Sequence, residues 1–383
     1  MSIMSNFERP LRVAQLIGTF GGGGAQRQAA ALVESLAVRG HHSMGIAVRS
    51  VGPFAESSAH RSAFVSLGAS QRSLLGAAPA LARLRAIVRR ERFDVIHVHG
   101  SFSLPLAISA TMWQSVRSKV VFIWQDSGIV HAGKLPPVPQ RLAIRRASGL
   151  LGSSHAVSAW LQGLAPRSQV GVFHGGVPEV RPCSSSEIPT IVWLGRWVSG
   201  KAPHLLLEAA ATLRSEGHRF RAVMAGPVPR GRESFLKMLR DQVKEMGLEH
   251  VVEMPGELGD QQLDILLDGS QIAVQTSHSE GLSMALLEQM MRGHAIVATD
   301  VGDTRVALAD GDCGLLTRPG DAGSLADALR VVIADRVQRE ALGARARQRA
   351  IAEYSLDAMA RKAEFVYRSM LAGGGAALNR RAA

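Results

Sequence analysis

The feature that most constrains the fold is an alternation of apolar, strand-length segments with amphipathic, helix-length segments, which runs through the chain twice. The alternation stops at residues 178–189, PEVRPCSSSEIP, and restarts at Thr190 with TIVWL. Strands that alternate with helices form parallel sheets covered by helices. At 383 residues the chain is also long for a single core. The sequence therefore predicts two α/β domains.

The expected boundaries follow from this pattern. We expect an N-terminal domain, a linker, a C-terminal domain, a final helix and a flexible tail, over residues 1–177, 178–189, 190–355, 356–372 and 373–383 respectively.

Composition excludes several classes of protein. Apolar residues make up 46% of the chain and charged residues 20%, which is typical of a globular protein. The two cysteines, Cys183 and Cys313, provide neither a disulfide framework nor a metal-binding spacing. No apolar run is long enough to span a membrane, and the N-terminus lacks the apolar core of a signal peptide. These features favour a cytoplasmic location.

Charge is distributed unevenly between the two halves. Residues 1–176 contain 19 Lys and Arg against 6 Asp and Glu, whereas residues 177–383 contain 25 against 26. A basic helix is predicted over Pro79–Arg90. The asymmetry favours an anionic partner for the first domain, such as a membrane surface at the inner face of the plasma membrane, with a solvated basic surface as the alternative. Nucleic acid is disfavoured because aromatic residues are only 5% and no binding motif is present.

A glycine-rich loop follows the first predicted strand. Leu11–Ile17 is apolar, Gly21 to Gly24 are four consecutive glycines, and Ala25–Arg39 has helical periodicity. This order is the opening of a βαβ unit, and the glycines allow a ligand or another backbone to approach closely. Dinucleotide binding is disfavoured because the loop is not GxGxxG and lacks the acidic residue that follows it.

The most informative stretch is SHSEGLSMALLEQMMRGHAIVAT, residues 277–299. It predicts a polar turn, a helix from about Ser283 to Arg292 ended by Gly293, and a buried strand. Glu288 lies at the edge of the apolar helical face, where a carboxylate needs hydrogen-bond donors. Glu280 precedes the helix, whose free N–H groups can bind an anion. The alternative is an ordinary amphipathic helix with a capped start.

Polar residues follow three predicted strands of the second half. Arg196 and Lys201 follow one strand, Gly256 ends another, and Glu280 and Glu288 follow a third. The carboxyl ends of parallel strands lie at one edge of a sheet, so these groups should converge. Two cations opposite a helix N-terminus would bind a diphosphate, and carboxylates would accept hydroxyl groups. Purely structural roles for these residues are the alternative.

These segments resemble the retaining, nucleotide-sugar-dependent glycosyltransferases of family 4. GRWVSGKAPHLLLEA is similar to the family's Gly-Arg…Lys segment, and Glu280 and Glu288 are similar to its paired-glutamate motif. The segments GGGGAQRQAAALVESLAVRGHH, DVIHVHG and SSHAVSAWL also resemble family segments. The resemblance implies two Rossmann-like domains facing across a cleft, the GT-B fold, with a C-terminal helix that crosses back to the N-terminal domain.

The resemblance also implies roles for individual residues. Arg196 and Lys201 would bind the donor diphosphate and act in catalysis with Glu280, which would contact the donor sugar. Glu288 would hold the ribose. The remaining implied donor contacts are Gly281, Leu282, Ser283, Gly256 and Glu257, and the implied acceptor or cleft residues are Gly22, Gly23, Gly24, His99, Gln125 and Asp126. No metal or other cofactor is expected, and the donor would be a UDP-, GDP- or ADP-sugar.

Two departures from the family pattern affect this expectation. Gln125-Asp126-Ser127-Gly128 stands where the family often has a histidine, with His99 and His131 as candidate substitutes, and His174-Gly175-Gly176-Val177-Pro178 replaces Asn-Gly-Val-Asp. We expect a retaining transferase that moves a hexose-type sugar to a glycan or lipid-linked acceptor in bacterial polysaccharide or glycolipid biosynthesis. A non-catalytic nucleotide-sugar-binding protein is the alternative, and a sugar-nucleotide epimerase or hydrolase is a third hypothesis.

Overall fold

The chain forms two compact units in a computed structural model that describes residues 9–21, 23–69, 74–112, 118–125 and 135–373. The first unit contains Met1–Gly176 together with Leu356–Ala383, and the second contains Val177–Ser355. No helix among the described residues combines the length and the apolar character that a bilayer span requires.

The first unit is a parallel sheet covered by helices on both faces. Its strands are β1 to β7, at Arg12–Ile17, His42–Ala47, Phe64–Ser66, Val95–His99, Lys119–Trp124, Gly149–Gly152 and Val170–Val172. Its first six helices are α1 to α6, at Gly24–Val38, Pro53–Glu56, Leu74–Glu91, Leu104–Thr111, Val138–Ile144 and His155–Leu164. The strand order is β3-β2-β1-β4-β5-β6-β7. The sheet packs against α3 to α6 on one face and against α1 and the C-terminal helix on the other.

The second unit repeats this architecture. Its strands are β8 to β13, at Thr190–Leu194, Arg221–Ala225, Val252–Gly256, Ile272–Gln275, Ala295–Thr299 and Leu315–Thr317. Its helices are α7 to α13, at His204–Ser215, Glu233–Glu245, Asp260–Asp268, Met284–Met291, Thr304–Ala307, Ala322–Ala334 and Arg336–Tyr354. The parallel sheet has the order β10-β9-β8-β11-β12-β13. Helices α7, α8 and α12 cover one face, and α9, α10, α11 and most of α13 cover the other.

The last helix, α14, spans Leu356–Leu371 and belongs to the core of the first unit. Its Tyr367 is fully buried; the hydroxyl lies 2.7 Å from Nδ1 of His97 and accepts a bond from Gln15 at 3.3 Å. The amide oxygen of Gln15, Oε1, lies 2.8 Å from Nε2 of His99. This buried network connects the C-terminal end of the chain to β1 and β4.

Residues 178–189, which we interpreted as a linker, hydrogen-bond to the second unit. The backbone N–H groups of Cys183 and Ser184 donate to the carbonyls of Arg292 and Asp268, each at 2.8 Å. Gln271 donates to the carbonyl of Ser184 at 2.7 Å. The segment is therefore fixed to the second unit along part of its length.

The predicted helix at Pro79–Arg90 is longer in the structure, because α3 begins at Leu74 and Pro79 lies inside it. A proline near a helix start removes one backbone hydrogen bond, so its presence favours but does not fix a boundary. Helices α2, α4, α5 and α11 and the short strands β3 and β13 were not predicted from the sequence.

Candidate functional site

The site lies at the carboxyl ends of β8 and β11 in the second unit. The chain runs from β8 to β9 and β10 on one side, and it continues from β11 to β12 and β13 on the other. The direction in which strands are added therefore reverses between β8 and β11. In open parallel sheets, ligands bind beyond the carboxyl ends of the strands at such a reversal point.

The loop after β8 is held against the loop after β9. Gly195 N–H donates to Ala225 O at 3.1 Å, Trp197 N–H donates to Pro227 O at 3.2 Å, and the Trp197 indole donates to Gly226 O at 2.8 Å. The backbone on both sides of Arg196 is thus fixed, while its side chain is exposed. Within the described part of the chain its guanidinium has no ion-pair partner, so it is available to an anionic ligand.

Lys201 is positioned by the turn that follows β11. It ends a single 3-10 turn, Ser199–Lys201, and the next residue, Ala202, is buried with a left-handed φ of 45°. Thr276 Oγ1 donates to Lys201 O at 2.7 Å and accepts from the Trp193 indole at 3.0 Å. These bonds fix the Lys201 backbone relative to the strand that leads to Glu280.

Lys201 and Glu280 form an ion pair between Nζ and Oε1. Ser277 Oγ donates to the same Glu280 oxygen at 2.7 Å. The side chains of Lys201 and Glu280 are 22% and 15% exposed, so the pair is partly shielded from water yet open to a ligand. The structure thus brings together two of the three predicted catalytic side chains.

Gly302 supports the turn that carries Glu280. It has a φ of 56°, and a Cβ at this position would lie 2.2 Å from Glu280 O and 2.4 Å from Gly281 O. The N–H of Asp303 donates to Gly281 O at 2.8 Å, and Thr299 Oγ1 donates to Ser277 O at 2.7 Å. The end of β12 therefore holds the backbone that presents Glu280.

Helix α10 begins directly after this turn. Ser283 is its N-cap, and its hydroxyl accepts from the backbone N–H of Leu286 at 3.4 Å, which confirms the predicted helix start. Gly281 and Ser283 are buried, while Leu282 and Glu288 are half-buried. Gly293 follows the helix with a φ of 74°, as its predicted role requires. Glu288 lies on the second turn of α10.

Gly256 and Glu257 lie farther along the same sheet edge. Gly256 ends β10, is buried with a φ of 85°, and accepts from Gly226 N–H at 2.8 Å. Glu257 is exposed. Both lie two strands away from β8. Gly226 connects Gly256 to the Arg196 loop, because its N–H donates to Gly256 O and its carbonyl accepts from the Trp197 indole.

The predicted acceptor residues belong to the first unit. Gly23 is the N-cap of α1 and Gly24 begins the helix, which follows β1 next to the strand-order reversal between β1 and β4. Gln125 follows β5, and its Oε1 is buried without a hydrogen-bond partner among the described residues. Gly22 and Asp126, together with the candidate substitute His131, lie outside the described residues.

His99 occupies a buried position. It is 2% exposed and its Nε2 lies 2.8 Å from Gln15 Oε1. Burial lowers its pKa to about 3, so the ring is neutral at physiological pH. The structure therefore places this predicted acceptor or cleft residue inside the first unit, with its ring bonded to Gln15.

Sequence reasoning missed the roles of Thr276, Ser277 and Thr299, three hydroxyl side chains that hold the site together. All three are buried. Their position in the sequence indicated a role, because polar residues at the carboxyl ends of apolar strands lie at the sheet edge where ligands bind. Their individual bonds depend on tertiary packing.

Both halves of the chain match models of known protein families. Residues 184–349 match the family model of the glycosyl transferases group 1, and residues 22–181 match that of Glycosyltransferase Family 4. A D-inositol 3-phosphate glycosyltransferase of Corynebacterium urealyticum is 32% identical over 183 residues, 47% of this chain and 43% of the relative. The enzyme of the same name from Frankia alni is 29% identical over 267 residues, 62% of this chain and 65% of the relative. The chain thus spans about half the length of several curated relatives it matches.

Solved structures extend the similarity to the whole fold. HepE of Anabaena in complex with UDP superimposes with a TM-score of 0.77 at 19% identity, over 94% of this chain and all of that chain. HepE in complex with UDP-glucose gives a TM-score of 0.72 at 19% identity, over 95% of this chain. The two matching family models together cover most of the chain, and the chain folds into two Rossmann-like units. The chain belongs to the family 4, group 1 glycosyltransferases of the GT-B fold.

Proposed function

We propose that this protein transfers a hexose-type sugar from a nucleoside-diphosphate sugar to a glycan or lipid-linked acceptor, with retention of anomeric configuration. The observation that carries the proposal is the placement of Lys201 and Glu280 on the loops after β8 and β11, at the strand-order reversal. Family membership supports both the donor class and retention. We further propose a role in bacterial polysaccharide or glycolipid biosynthesis.

In this proposal, Arg196 and Lys201 bind the donor diphosphate. As the glycosidic bond breaks, the leaving nucleoside diphosphate gains negative charge, and fixed cations aimed at that charge lower the barrier. The two cations make a metal ion unnecessary for this step, so we expect activity to survive EDTA. Glu280 accepts hydroxyls of the sugar, Glu288 accepts those of the ribose, and the N–H groups of Gly281 to Ser283 bind the sugar and distal phosphate.

The acceptor is proposed to bind the first unit. Residues 1–176 contain 19 basic against 6 acidic residues, which supports an anionic acceptor. Curated relatives are named D-inositol 3-phosphate glycosyltransferases, so a phosphorylated polyol is a second candidate acceptor beside a lipid-linked glycan. A panel containing both acceptor classes decides between them, since only the true acceptor consumes donor faster than water does.

We also propose peripheral contact with an anionic membrane at the inner face of the plasma membrane. The support comes from five large apolar side chains on α4, α5 and their flanking residues that are at least half exposed. We call them the α4–α5 surface: Phe102, Met112, Leu135, Val138 and Leu142. Helices α3 and α5 both pack against α4. Exposed Arg89 on α3 and Arg146 after α5 add positive charge to this layer.

The arginines of α3 contribute less free charge to this surface than the sequence indicates. Arg83 donates to Leu67 O at 2.7 Å, Arg85 donates to Ser109 O at 3.1 Å, and Arg90 pairs with Glu91 at 2.8 Å. The bonds of Arg83 and Arg85 hold α3 against neighbouring segments, whereas the Arg90–Glu91 pair lies within α3 itself. The exposed apolar residues therefore carry more of the membrane proposal than the basic helix itself.

The test is a donor-consumption assay with UDP-, GDP- and ADP-sugars, with and without acceptor, followed by NMR of the product anomer. We expect one base to be preferred, and Arg196→Ala, Lys201→Ala and Glu280→Gln to lose activity while Lys237→Ala, an exposed lysine on α8, keeps it. Full activity in all three site variants would refute the site. Binding without consumption of any donor, with any acceptor, would favour a non-catalytic binding protein instead.

A further inference from the structure

The strongest unassigned feature is the competition built into the Lys201–Glu280 pair. The ammonium that the proposed function assigns to the diphosphate is already bound to Glu280 Oε1. A diphosphate that binds this ammonium must therefore weaken the ion pair. Glu280 is only 15% exposed, and a carboxylate that loses a partner in such a place is poorly compensated by water.

We infer that Lys201 and Glu280 together discriminate between a nucleotide sugar and a free nucleoside diphosphate. The diphosphate of a nucleotide sugar binds Lys201, and the hydroxyl groups of the sugar donate hydrogen bonds to Glu280, so the carboxylate stays hydrogen-bonded. A free nucleoside diphosphate binds Lys201 but offers no hydroxyl donor to Glu280, which then keeps only Ser277 as a partner among the described residues. The pair thereby weakens binding of the product relative to the donor. This inference rests on the proposed donor class.

Backbone hydrogen bonds fix the two loops, so only the side chains of Lys201 and Glu280 can change partners. Lys201 O is held by Thr276 at 2.7 Å, Gly200 O accepts from His278 N–H at 2.9 Å, and Gly281 O accepts from Asp303 N–H at 2.8 Å. The loop that carries Lys201 and the turn that carries Glu280 are therefore fixed relative to each other. Neither loop can move away easily to relieve an unpaired carboxylate, so the competition persists.

The experiment measures Kd by calorimetry for UDP and UDP-glucose, GDP and GDP-mannose, and ADP and ADP-glucose, and then uses the base that binds best. Glu280→Gln removes the competing charge. We expect this variant to bind the free diphosphate about three- to thirtyfold more tightly, because residues in one ion-pair network usually affect each other's contribution by about this factor. We expect its binding of the nucleotide sugar to stay the same or weaken.

Removing any carboxylate near a diphosphate also relieves simple repulsion, so two further variants isolate the pair. In a Lys201→Met background, Glu280→Gln should no longer tighten binding of the free diphosphate, whereas repulsion alone would persist there. Ser277→Ala changes no charge and removes the second donor to Glu280. It should weaken binding of the free diphosphate more than that of the nucleotide sugar.

The outcomes separate the two proposals. If the wild type binds none of the six ligands, the donor class is wrong and the inference is overturned with it. If the wild type binds but Glu280→Gln leaves the ratio of the two Kd values unchanged, the donor class stands and the discrimination is wrong. An equal effect of Glu280→Gln in the Lys201→Met background would also overturn it.

Discussion

Gly302 offers a sharp test of how the site is held, through the variant Gly302→Ala. The added methyl would lie 2.2 Å from Glu280 O and 2.4 Å from Gly281 O, whereas ordinary contact begins at 3.4 Å. The turn must therefore move by about 1 Å to admit it. A displacement of about 1 Å at a catalytic group lowers the rate by roughly a hundredfold.

The same variant also strains its own backbone. The φ of 56° is left-handed, and an L-residue there loses about 1 to 2 kcal/mol relative to glycine. Gly217→Ala is the matched control, because Gly217 has a φ of 84° and no heavy atom within 4 Å of the added methyl. In urea unfolding we expect Gly217→Ala to lose about 1 to 2 kcal/mol from the backbone strain alone, and Gly302→Ala to lose more because its methyl also clashes with the turn.

Activity should distinguish the two variants. Donor hydrolysis, followed as release of nucleoside diphosphate, should fall about a hundredfold in Gly302→Ala, the loss expected for a displacement of about 1 Å. It should stay near the wild-type level in Gly217→Ala. If Gly302→Ala keeps a kcat/KM close to that of the control, the support of Glu280 by the end of β12 is not needed for function and the reasoning fails.

Further predictions concern the buried network and the membrane. Burial lowers the pKa of His97 below its usual value and lowers that of His99 from 6.5 to about 3. As pH falls, the unfolded chain therefore binds protons before the folded chain does. The free energy of unfolding is unaffected by these two histidines above pH 6.5 and decreases as pH falls toward 3. For His99 the loss at pH 5 is about 2 kcal/mol, and the urea midpoint should depend less on pH in His99→Gln. Tyr367→Phe leaves a His97 nitrogen unpaired and should lower the free energy of unfolding by about 1 to 3 kcal/mol, whereas an unchanged urea midpoint would contradict this. Leu142→Ser should weaken sedimentation of the protein with anionic vesicles, whereas Val337→Ser, an exposed control in the second unit, should not. Equal vesicle binding by the two variants would show that the α4–α5 surface does not contact the membrane.

Much of the fold could be predicted because apolar periodicity and turn residues are local. The glycine loop before α1, the strand β11 and the cap at Ser283 all follow from short segments. The site itself was predictable only as a set of residues at strand ends. The Lys201–Glu280 pair joins residues 79 positions apart. Its geometry depends on bonds from Thr276 and Asp303 that no local pattern encodes. The buried network around His99 depends likewise on a distant residue, because Gln15, which bonds to His99, also donates to Tyr367 on the last helix.

The proposed function depends on the binding of a donor diphosphate by the cations after β8. The decisive measurement is isothermal titration calorimetry of the preferred nucleoside-diphosphate sugar with the double variant Arg196→Met/Lys201→Met, with Lys237→Met as the control. Each charge-assisted contact contributes about 1.5 to 3 kcal/mol, so the double variant should bind at least about a hundredfold more weakly than the control. An affinity of the double variant within about threefold of that of the wild type would contradict the account.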